Sequence, residues 1–136
     1  MALTFYYGSG SPFAWRVWLA LEHKQIAYEL KVLSFDRGDT RTPEFLAVNP
    51  RGRVPTIVHD GFKLWESLAI LEYLEECFPQ KPLLAADAKT RATTRRLMIE
   101  ADGDLYTALR RLFEATLAAR EPVEPAALAE IQGAVV

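Results

Sequence analysis

The fold is decided by residues 6–17, which read Tyr-Tyr-Gly-Ser-Gly-Ser-Pro-Phe-Ala-Trp-Arg-Val. An apolar strand over residues 3–7 stops at a Gly-Ser-Gly loop, after which Ser11 and Pro12 begin a helix. Proline is favoured in the first turn of a helix, and serine is a good cap just before it. Ser11 is therefore expected among unpaired N–H groups at the positive end of a helix dipole, where an anion such as a thiolate is stabilised. From these residues alone, the alternative is that Ser11 only caps the helix.

The residues that follow predict a parallel pair of strands. The helix that begins at Pro12 carries apolar residues at helical spacing, and a second strand is predicted over residues 26–32. Because a single helix separates the two strands, they should be parallel. Farther along, Thr42 is predicted to cap a short helix that Asn49-Pro50 ends.

A hairpin and a third helix complete the first domain. Two short strands flank Asp60-Gly61, which is a strong hairpin signal. A helix then starts at Glu66-Ser67 and ends before Pro79. Residues 1–80 therefore predict an α/β domain with the element order βαβαββα and with helices on both faces of the sheet.

A linker over residues 81–87 leads into a second, all-helical segment over residues 88–136. Gly103 lies inside its first long helix and indicates close packing or a bend there. A turn over residues 121–125 and the start of another helix over residues 126–131 follow. Because the apolar face of the long helix needs partners, we expect this helical domain to be incomplete. That predicted face comprises Met98, Ala101, Leu105, Leu109, Leu112 and Thr116.

Composition and charge narrow the class of protein. Half of the 136 residues are apolar and a quarter are charged, which is typical of a globular chain, and the net charge of −2 favours neither nucleic acid nor membrane partners. Cys77 is the only cysteine, so no intrachain disulfide forms, and it is predicted on the buried face of the third helix. Two distant histidines predict no metal site. We expect no signal peptide or membrane span, and a cytoplasmic location.

The chain also carries three motifs in order and on the expected elements: Ser11-Pro12-Phe13-x-x-Arg16-Val17, Asn49-Pro50-x-Gly52-x-Val54-Pro55 and Glu66-Ser67-Leu68-Ala69-Ile70-Leu71-Glu72-Tyr73-Leu74. Together they resemble the glutathione S-transferase superfamily. The resemblance implies a thioredoxin-like N-terminal domain over residues 1–80, followed by a truncated all-helical C-terminal domain.

The first motif most resembles the tau class, in which serine occupies the position of the omega-class cysteine. A hydroxyl cannot form a mixed disulfide, so glutaredoxin-like chemistry of the omega type is not expected. The zeta class carries Ser-Ser-Cys where this chain has Ser11-Pro12-Phe13. Isomerase chemistry of the zeta type is therefore not expected either.

The resemblance implies that Ser11 donates its hydroxyl hydrogen to the sulfur of glutathione. An ordinary thiol has a pKa of about 8.5, and each unit of depression needs about 1.4 kcal/mol of preference for the anion. A helix N-terminus and one hydroxyl hydrogen bond can supply an effect of that size. Tyr7 is the second candidate, because some other classes carry a catalytic tyrosine at the end of the first strand. Its alternative role is that of a half-buried strand aromatic.

The resemblance implies that the other two motifs bind the backbone of glutathione. By resemblance, Val54-Pro55 is a cis-proline turn whose valine N–H and C=O pair with the cysteinyl residue; the alternative is a trans proline that starts an edge strand. Ser67 would bind the γ-glutamyl carboxylate and Glu66 the α-amino group; the alternative is a simple capping pair.

Arg41 and Arg53 lie where tau-like proteins carry cations for the glycyl carboxylate, unless they are ordinary solvated arginines. The sequence thus predicts a cytoplasmic, homodimeric detoxification enzyme that conjugates glutathione to small apolar electrophiles, with no metal, nucleic acid or membrane partner. Two alternatives stay open: a non-catalytic glutathione-binding or protein-interaction module, and an inactive fragment of a longer transferase.

Overall fold

The computed structural model describes residues 2–116. The chain forms two compact units, and the boundary between them in the sequence falls between Leu84 and Ala85. A short 3₁₀ helix at Asp39–Arg41 precedes the second α-helix, and a π-helical turn at Ala101–Leu105 lies between the last two. The strands are β1 (Leu3–Gly8), β2 (Glu29–Leu33), β3 (Thr56–His59) and β4 (Phe62–Trp65), and the helices are α1 (Pro12–Lys24), α2 (Pro43–Val48), α3 (Ser67–Cys77), α4 (Ala88–Glu100) and α5 (Tyr106–Thr116).

The four strands form one mixed sheet in the order β2-β1-β3-β4. β1 and β2 are parallel, whereas β3 is antiparallel to both β1 and β4, so the predicted βαβαββα order is confirmed. The second strand begins at Glu29 rather than at Ile26, and the predicted start was wrong. Gln25 adopts a left-handed conformation that ends α1, and Ile26 then bonds back to Leu21, so this segment is a turn.

Side chains alternate along β1 between the two faces of the sheet. Phe5 and Tyr7 face the main core, whereas the ring of Tyr6 packs against Phe45 of α2, with 5.4 Å between centroids. Helices therefore cover both faces, as the sequence predicts. The main core combines side chains of β1, β3, α1 and α3: Leu3, Phe5, Tyr7, Ala14, Val17, Ala20, Leu21, Ile57, Ile70 and Leu74.

The ends of α1 and α3 carry one residue whose burial was predicted wrongly and one buried ion pair. Cys77 was predicted to be buried but is exposed, because it is the last residue of α3 and the next residue, Phe78, packs against the core in its place. Lys24 and Glu75 are buried on the core sides of α1 and α3, although their charges predict exposure.

Asp87 caps the helical unit, since its carboxylate accepts a hydrogen bond from the Thr90 N–H at 2.9 Å. Leu105 and Leu109 of the predicted apolar face are 46% and 43% exposed, which agrees with a face that lacks packing partners among the described residues. Gly103 lies in the π turn, and a Cβ there would meet no described atom within 4 Å, so a wide turn rather than close packing accounts for it. The side chain of Thr116 and the turn and helix predicted beyond residue 120 lie outside the described residues. Within residues 2–116, no helix is long and apolar enough to span a membrane.

Candidate functional site

Strand register brings the three sequence motifs to one end of the sheet. Thr56, the first residue of β3, pairs with Tyr6 on one side and with Trp65 on the other. The chain just before Thr56 therefore lies beside the end of β1 and beside the β4–α3 junction. Gly8 confirms this approach, because a Cβ built there would be 3.0 Å from Cγ2 of Val54.

Ser11 caps α1 as predicted. It has an extended conformation, and its Oγ accepts a hydrogen bond from the Ala14 N–H at 3.2 Å. Its hydroxyl hydrogen has no acceptor in the described part of the chain, and the side chain is only half-buried. Ser11 can therefore cap the helix and donate to a bound group at the same time, because a hydroxyl is both acceptor and donor.

Tyr7 lies inside an aromatic cluster on the core side of β1. It is 6% exposed, and its ring meets Trp18 and Trp15 edge-on at centroid distances of 4.8 and 6.4 Å. Edge-to-face contacts at such distances are the preferred packing of aromatic rings. This environment favours a packing role for Tyr7 over a catalytic one.

Val54 and Pro55 are joined by a cis peptide bond, as the resemblance implies. The N–H and C=O of Val54 make no hydrogen bond to any described residue, because the ladder of β3 begins only at Thr56. Free backbone groups next to a sheet edge are suited to pairing with an extended peptide.

Glu66 and Ser67 start α3, but not as a capping pair. Glu66 has a positive φ of 70° and makes no capping hydrogen bond, and its side chain is 62% exposed. Its Oε1 lies 3.7 Å from Nε of Arg51, a residue that the sequence analysis did not single out. Ser67 is 6% exposed and occupies the first turn, where backbone N–H groups have no helical partner.

The two predicted arginines are both exposed. A guanidinium nitrogen of Arg41 lies 3.0 Å from the Cβ position of Gly52, so the Arg41 side chain lies along the Asn49–Pro55 loop. The side chain of Arg53 makes no hydrogen bond or ion pair with the described residues, and its role stays a prediction. No feature of the sequence distinguishes Arg51 from Arg53 as the partner of Glu66.

The Asn49–Pro55 loop is held by a buried asparagine. Nδ2 of Asn49 donates to the Arg53 carbonyl at 2.8 Å and to Oγ1 of Thr56 at 2.9 Å, and Oδ1 accepts from the Arg51 N–H at 3.0 Å. Gly52 has a φ of +59°, and a Cβ there would meet the Thr40 carbonyl oxygen at 2.7 Å, so only glycine fits. The motif Asn-Pro-x-Gly thus positions the turn that ends in Val54-Pro55.

A four-stranded mixed sheet with a capped helix after β1 and a cis-proline before β3 defines the thioredoxin-like class of folds. Within that class, residues 10–77 match the family model described as the glutathione S-transferase N-terminal domain. The chain belongs to the glutathione S-transferase superfamily.

Three comparisons illustrate this membership. The chain is 46% identical to glutathione S-transferase 1 of Dianthus caryophyllus over 90 residues, which are 66% of this chain. It is 41% identical to maleylacetoacetate isomerase of Dictyostelium discoideum over 90 residues, which are 65% of this chain. It is similar to the crystal structure of a glutathione S-transferase from the Antarctic clam Laternula elliptica, with a TM-score of 0.88 and 32% identity over 99% of this chain and 61% of that one. The matched part spans only 41% of each of the two curated relatives.

Proposed function

We propose that this chain binds glutathione at the Ser11 end of the sheet and activates its thiol for conjugation to small apolar electrophiles. The observation that carries the proposal is the Ser11 hydroxyl: its oxygen is engaged in the cap, while its hydrogen is free at the N-terminus of α1. We further propose, from the family resemblance, that the protein acts as a cytoplasmic homodimer.

The chemistry asked of Ser11 is stabilisation of an anion. Donation from the hydroxyl to the glutathione sulfur favours the thiolate, and the start of α1 adds the field of the helix dipole. The thiol proton passes to solvent. The thiolate then attacks the electrophilic carbon and a C–S bond forms; in a substitution the leaving group departs with its bonding electron pair, and in an addition the π electron pair moves to the adjacent atom, which takes a proton from water. No general base beside Ser11 is required, because the serine never loses its proton.

The remaining motif residues would orient the tripeptide. Val54 offers its free N–H and C=O to the cysteinyl backbone. Ser67 offers its hydroxyl and N–H to the γ-glutamyl carboxylate, and Glu66 receives the α-amino group. The Arg51 guanidinium, 3.7 Å from the Glu66 carboxylate, adds a positive charge beside this position. Arg41 and Arg53 would supply positive charge for the glycyl carboxylate.

A second candidate function is the isomerisation named in the Dictyostelium relative, which shares 41% identity. Ser11-Pro12-Phe13 stands where zeta-class proteins have Ser-Ser-Cys, and this difference favours conjugation. Both reactions should be assayed with the same protein. Binding of glutathione with neither activity would assign the chain to the non-catalytic alternative.

Glutathione should bind with saturable heat in isothermal titration calorimetry. The dipeptide Cys-Gly is the matched control, since it keeps the thiol and the glycyl carboxylate but lacks the γ-glutamyl group assigned to Glu66 and Ser67. We expect at least tenfold weaker binding of the dipeptide, because it forfeits charge-assisted hydrogen bonds at the start of α3. Absence of glutathione binding up to millimolar concentration would refute the proposed function.

Ser11→Ala should lower the turnover number for conjugation about 10²-fold, which is the scale for losing one preorganised hydrogen-bond donor. The pKa of the bound glutathione thiol, followed by ultraviolet absorbance of the thiolate, should rise towards its free value of about 8.5. Ser9→Ala is the matched control in the same loop, and Ser11→Thr should restore much of the activity because it keeps the hydroxyl. Full turnover in Ser11→Ala, with a loss in Tyr7→Phe, would transfer the role to Tyr7.

A further inference from the structure

An open cavity of about 400 Å³ lies at the end of the sheet opposite Ser11. Leu3, the first residue of β1, and His59, its partner in β3, both line it. A strand rises about 3.4 Å per residue, so the six residues of β1 separate the two ends of the sheet by roughly 17 Å. The cavity is therefore distinct from the proposed glutathione site.

The lining of this cavity combines an apolar wall with exposed polar residues and with two buried ones, Lys24 and His59. Ile26, Ala27 and Phe78 extend the apolar surface that Leu3 begins. The polar part includes the exposed Lys81, together with two glutamines. None of the lining residues is acidic, and the charge of Lys24 is already paired with Glu75, so Lys81 supplies the available positive charge. An apolar ligand with an acceptor or an anionic group suits this distribution better than a cation does.

His59 supplies a buried polar atom without a partner. The residue is 8% exposed, and its Nδ1 lies 2.8 Å from the hydroxyl of Tyr73. Its Nε2 is buried and has no hydrogen-bond partner among the described residues. The carboxylate of Asp60 lies 3.9 Å from Nε2, which is too far for a hydrogen bond. A neutral imidazole carries its proton on one nitrogen only, and when the Tyr73 hydroxyl donates to Nδ1, Nε2–H is a buried donor that needs an acceptor.

We propose that this cavity is a second small-molecule site, which takes an apolar carboxylate. The carboxylate accepts a hydrogen bond from Nε2–H of His59 and pairs with the ammonium group of Lys81. The hydrocarbon body packs against Leu3, Ile26 and Phe78. At about 30 Å³ per small group, the cavity holds about a dozen non-hydrogen atoms, which is the size of an arylalkyl acid.

The test uses 4-phenylbutyrate as the probe and the full chain as the protein. In an NMR titration, the imidazole signals of His59 should shift and saturate, with a dissociation constant on the order of 1 mM for a ligand of this size. The exposed His23 is the only other histidine and provides the internal control. The neutral 4-phenylbutyramide should bind at least fivefold more weakly, because it cannot pair with Lys81. Equal affinity for the acid and the amide, or an unmoved His59 signal, would overturn the proposal.

Two variants and one competition complete the test. His59→Phe and Lys81→Gln should each weaken probe binding at least fivefold, whereas His23→Phe should leave it unchanged. Saturating glutathione should change the affinity for the probe by less than twofold, since the two sites lie at opposite ends of the sheet. If glutathione displaces the probe, the probe binds in the glutathione site, and this result would also overturn the proposal. The wild-type titration requires no variant to fold, and probe binding can be measured whether or not glutathione binds.

Discussion

Lys24→Met is expected to lower the free energy of unfolding by about 3–5 kcal/mol, because it leaves a buried carboxylate without its countercharge. Nζ of Lys24 lies 2.7 Å from Oε2 of Glu75, and the two side chains are 0% and 7% exposed. Lys24 also donates to the Phe78 carbonyl at 2.9 Å. Methionine fills the space of the lysine stem but offers no donor, so the whole loss is electrostatic and hydrogen-bonding in origin.

Glu75 is satisfied by backbone groups as well as by the lysine. Its carboxylate accepts hydrogen bonds from the N–H groups of Leu83 and Leu84, each at 3.0 Å. The pair therefore joins α1, α3 and the chain that leaves the α/β unit. Glu75→Gln keeps an acceptor for these N–H groups and removes the charge. The double variant Lys24→Met/Glu75→Gln should recover more than half of the stability that Lys24→Met loses, since no charge remains buried.

Urea unfolding followed by tryptophan fluorescence measures this effect directly, because all three tryptophans lie in the α/β unit. Lys31→Met is the matched control. Lys31 pairs with Glu29 on the edge strand β2, where the two side chains are 48% and 60% exposed. Solvent screens such a pair, so the control should unfold like the wild type. Equal urea midpoints for Lys24→Met and Lys31→Met would show that the buried pair contributes nothing specific.

The same pair predicts how stability depends on pH. Burial raises the pKa of the Glu75 carboxyl, but the hydrogen bonds from Lys24 and from the Leu84 and Leu83 N–H groups outweigh it, so the net pKa is below the ordinary value of 4.5. A carboxyl with a depressed pKa stabilises the fold above its ordinary pKa and loses that contribution as the pH falls through the folded value. The stability difference between the wild type and Glu75→Gln should therefore be full near neutral pH and shrink below about pH 4.5.

The buried Lys24–Glu75 pair could be predicted from the sequence only in part. Lys24 falls three residues after Leu21 and seven after Val17, so spacing alone predicts the core face of α1. Its charge predicts solvent, and the sequence cannot show that Glu75 is its partner fifty-one residues later. The spacing of Lys24 on α1 agrees with its burial, and its ion pair with Glu75 explains how a charged side chain lies there. Cys77 shows the opposite case: its spacing predicts burial, but the residue is exposed because α3 ends there.

Local signals succeeded where one short segment determines its own conformation. Asp60-Gly61 predicts the β3–β4 hairpin, and Ser11-Pro12 predicts the start of α1, since each rests on a backbone preference of two adjacent residues. For Val54-Pro55 the resemblance supplied the cis isomer, which the dipeptide by itself does not specify. Arg51 escaped notice because its contact with Glu66 arises from the meeting of two distant loops. The candidate site is thus predictable in its backbone elements and less so in its surface charges.

Asn49→Ala is expected to lower the free energy of unfolding of the α/β unit by about 3 kcal/mol. The Asn49 side chain is fully buried and makes three hydrogen bonds, each worth about 1 kcal/mol net, and alanine also leaves a small cavity. Thr56→Val keeps the shape but loses two hydrogen bonds, the one that Oγ1 accepts from Asn49 and the one that it donates to the Arg53 carbonyl, so it should cost about 2 kcal/mol. Gln80→Ala removes an exposed amide and is the control; its urea midpoint should equal that of the wild type.

The loss at Asn49 should extend to glutathione affinity, which separates a positioning role from a purely structural one. Asn49 fixes the Arg53 carbonyl and Thr56, the two groups that flank the Val54-Pro55 turn. Under conditions where the wild type and the variant are both fully folded, a loosened turn should weaken glutathione binding at least tenfold, because the Val54 N–H and C=O must then be ordered by the ligand itself. A folded Asn49→Ala protein with unchanged glutathione affinity would show that the turn is held by the cis-proline and its neighbours alone. The Lys24–Glu75 pair lies at the other end of α1 and provides an equally destabilised comparison variant. If Asn49→Ala weakens glutathione binding and that variant does not, the effect belongs to the turn rather than to global stability.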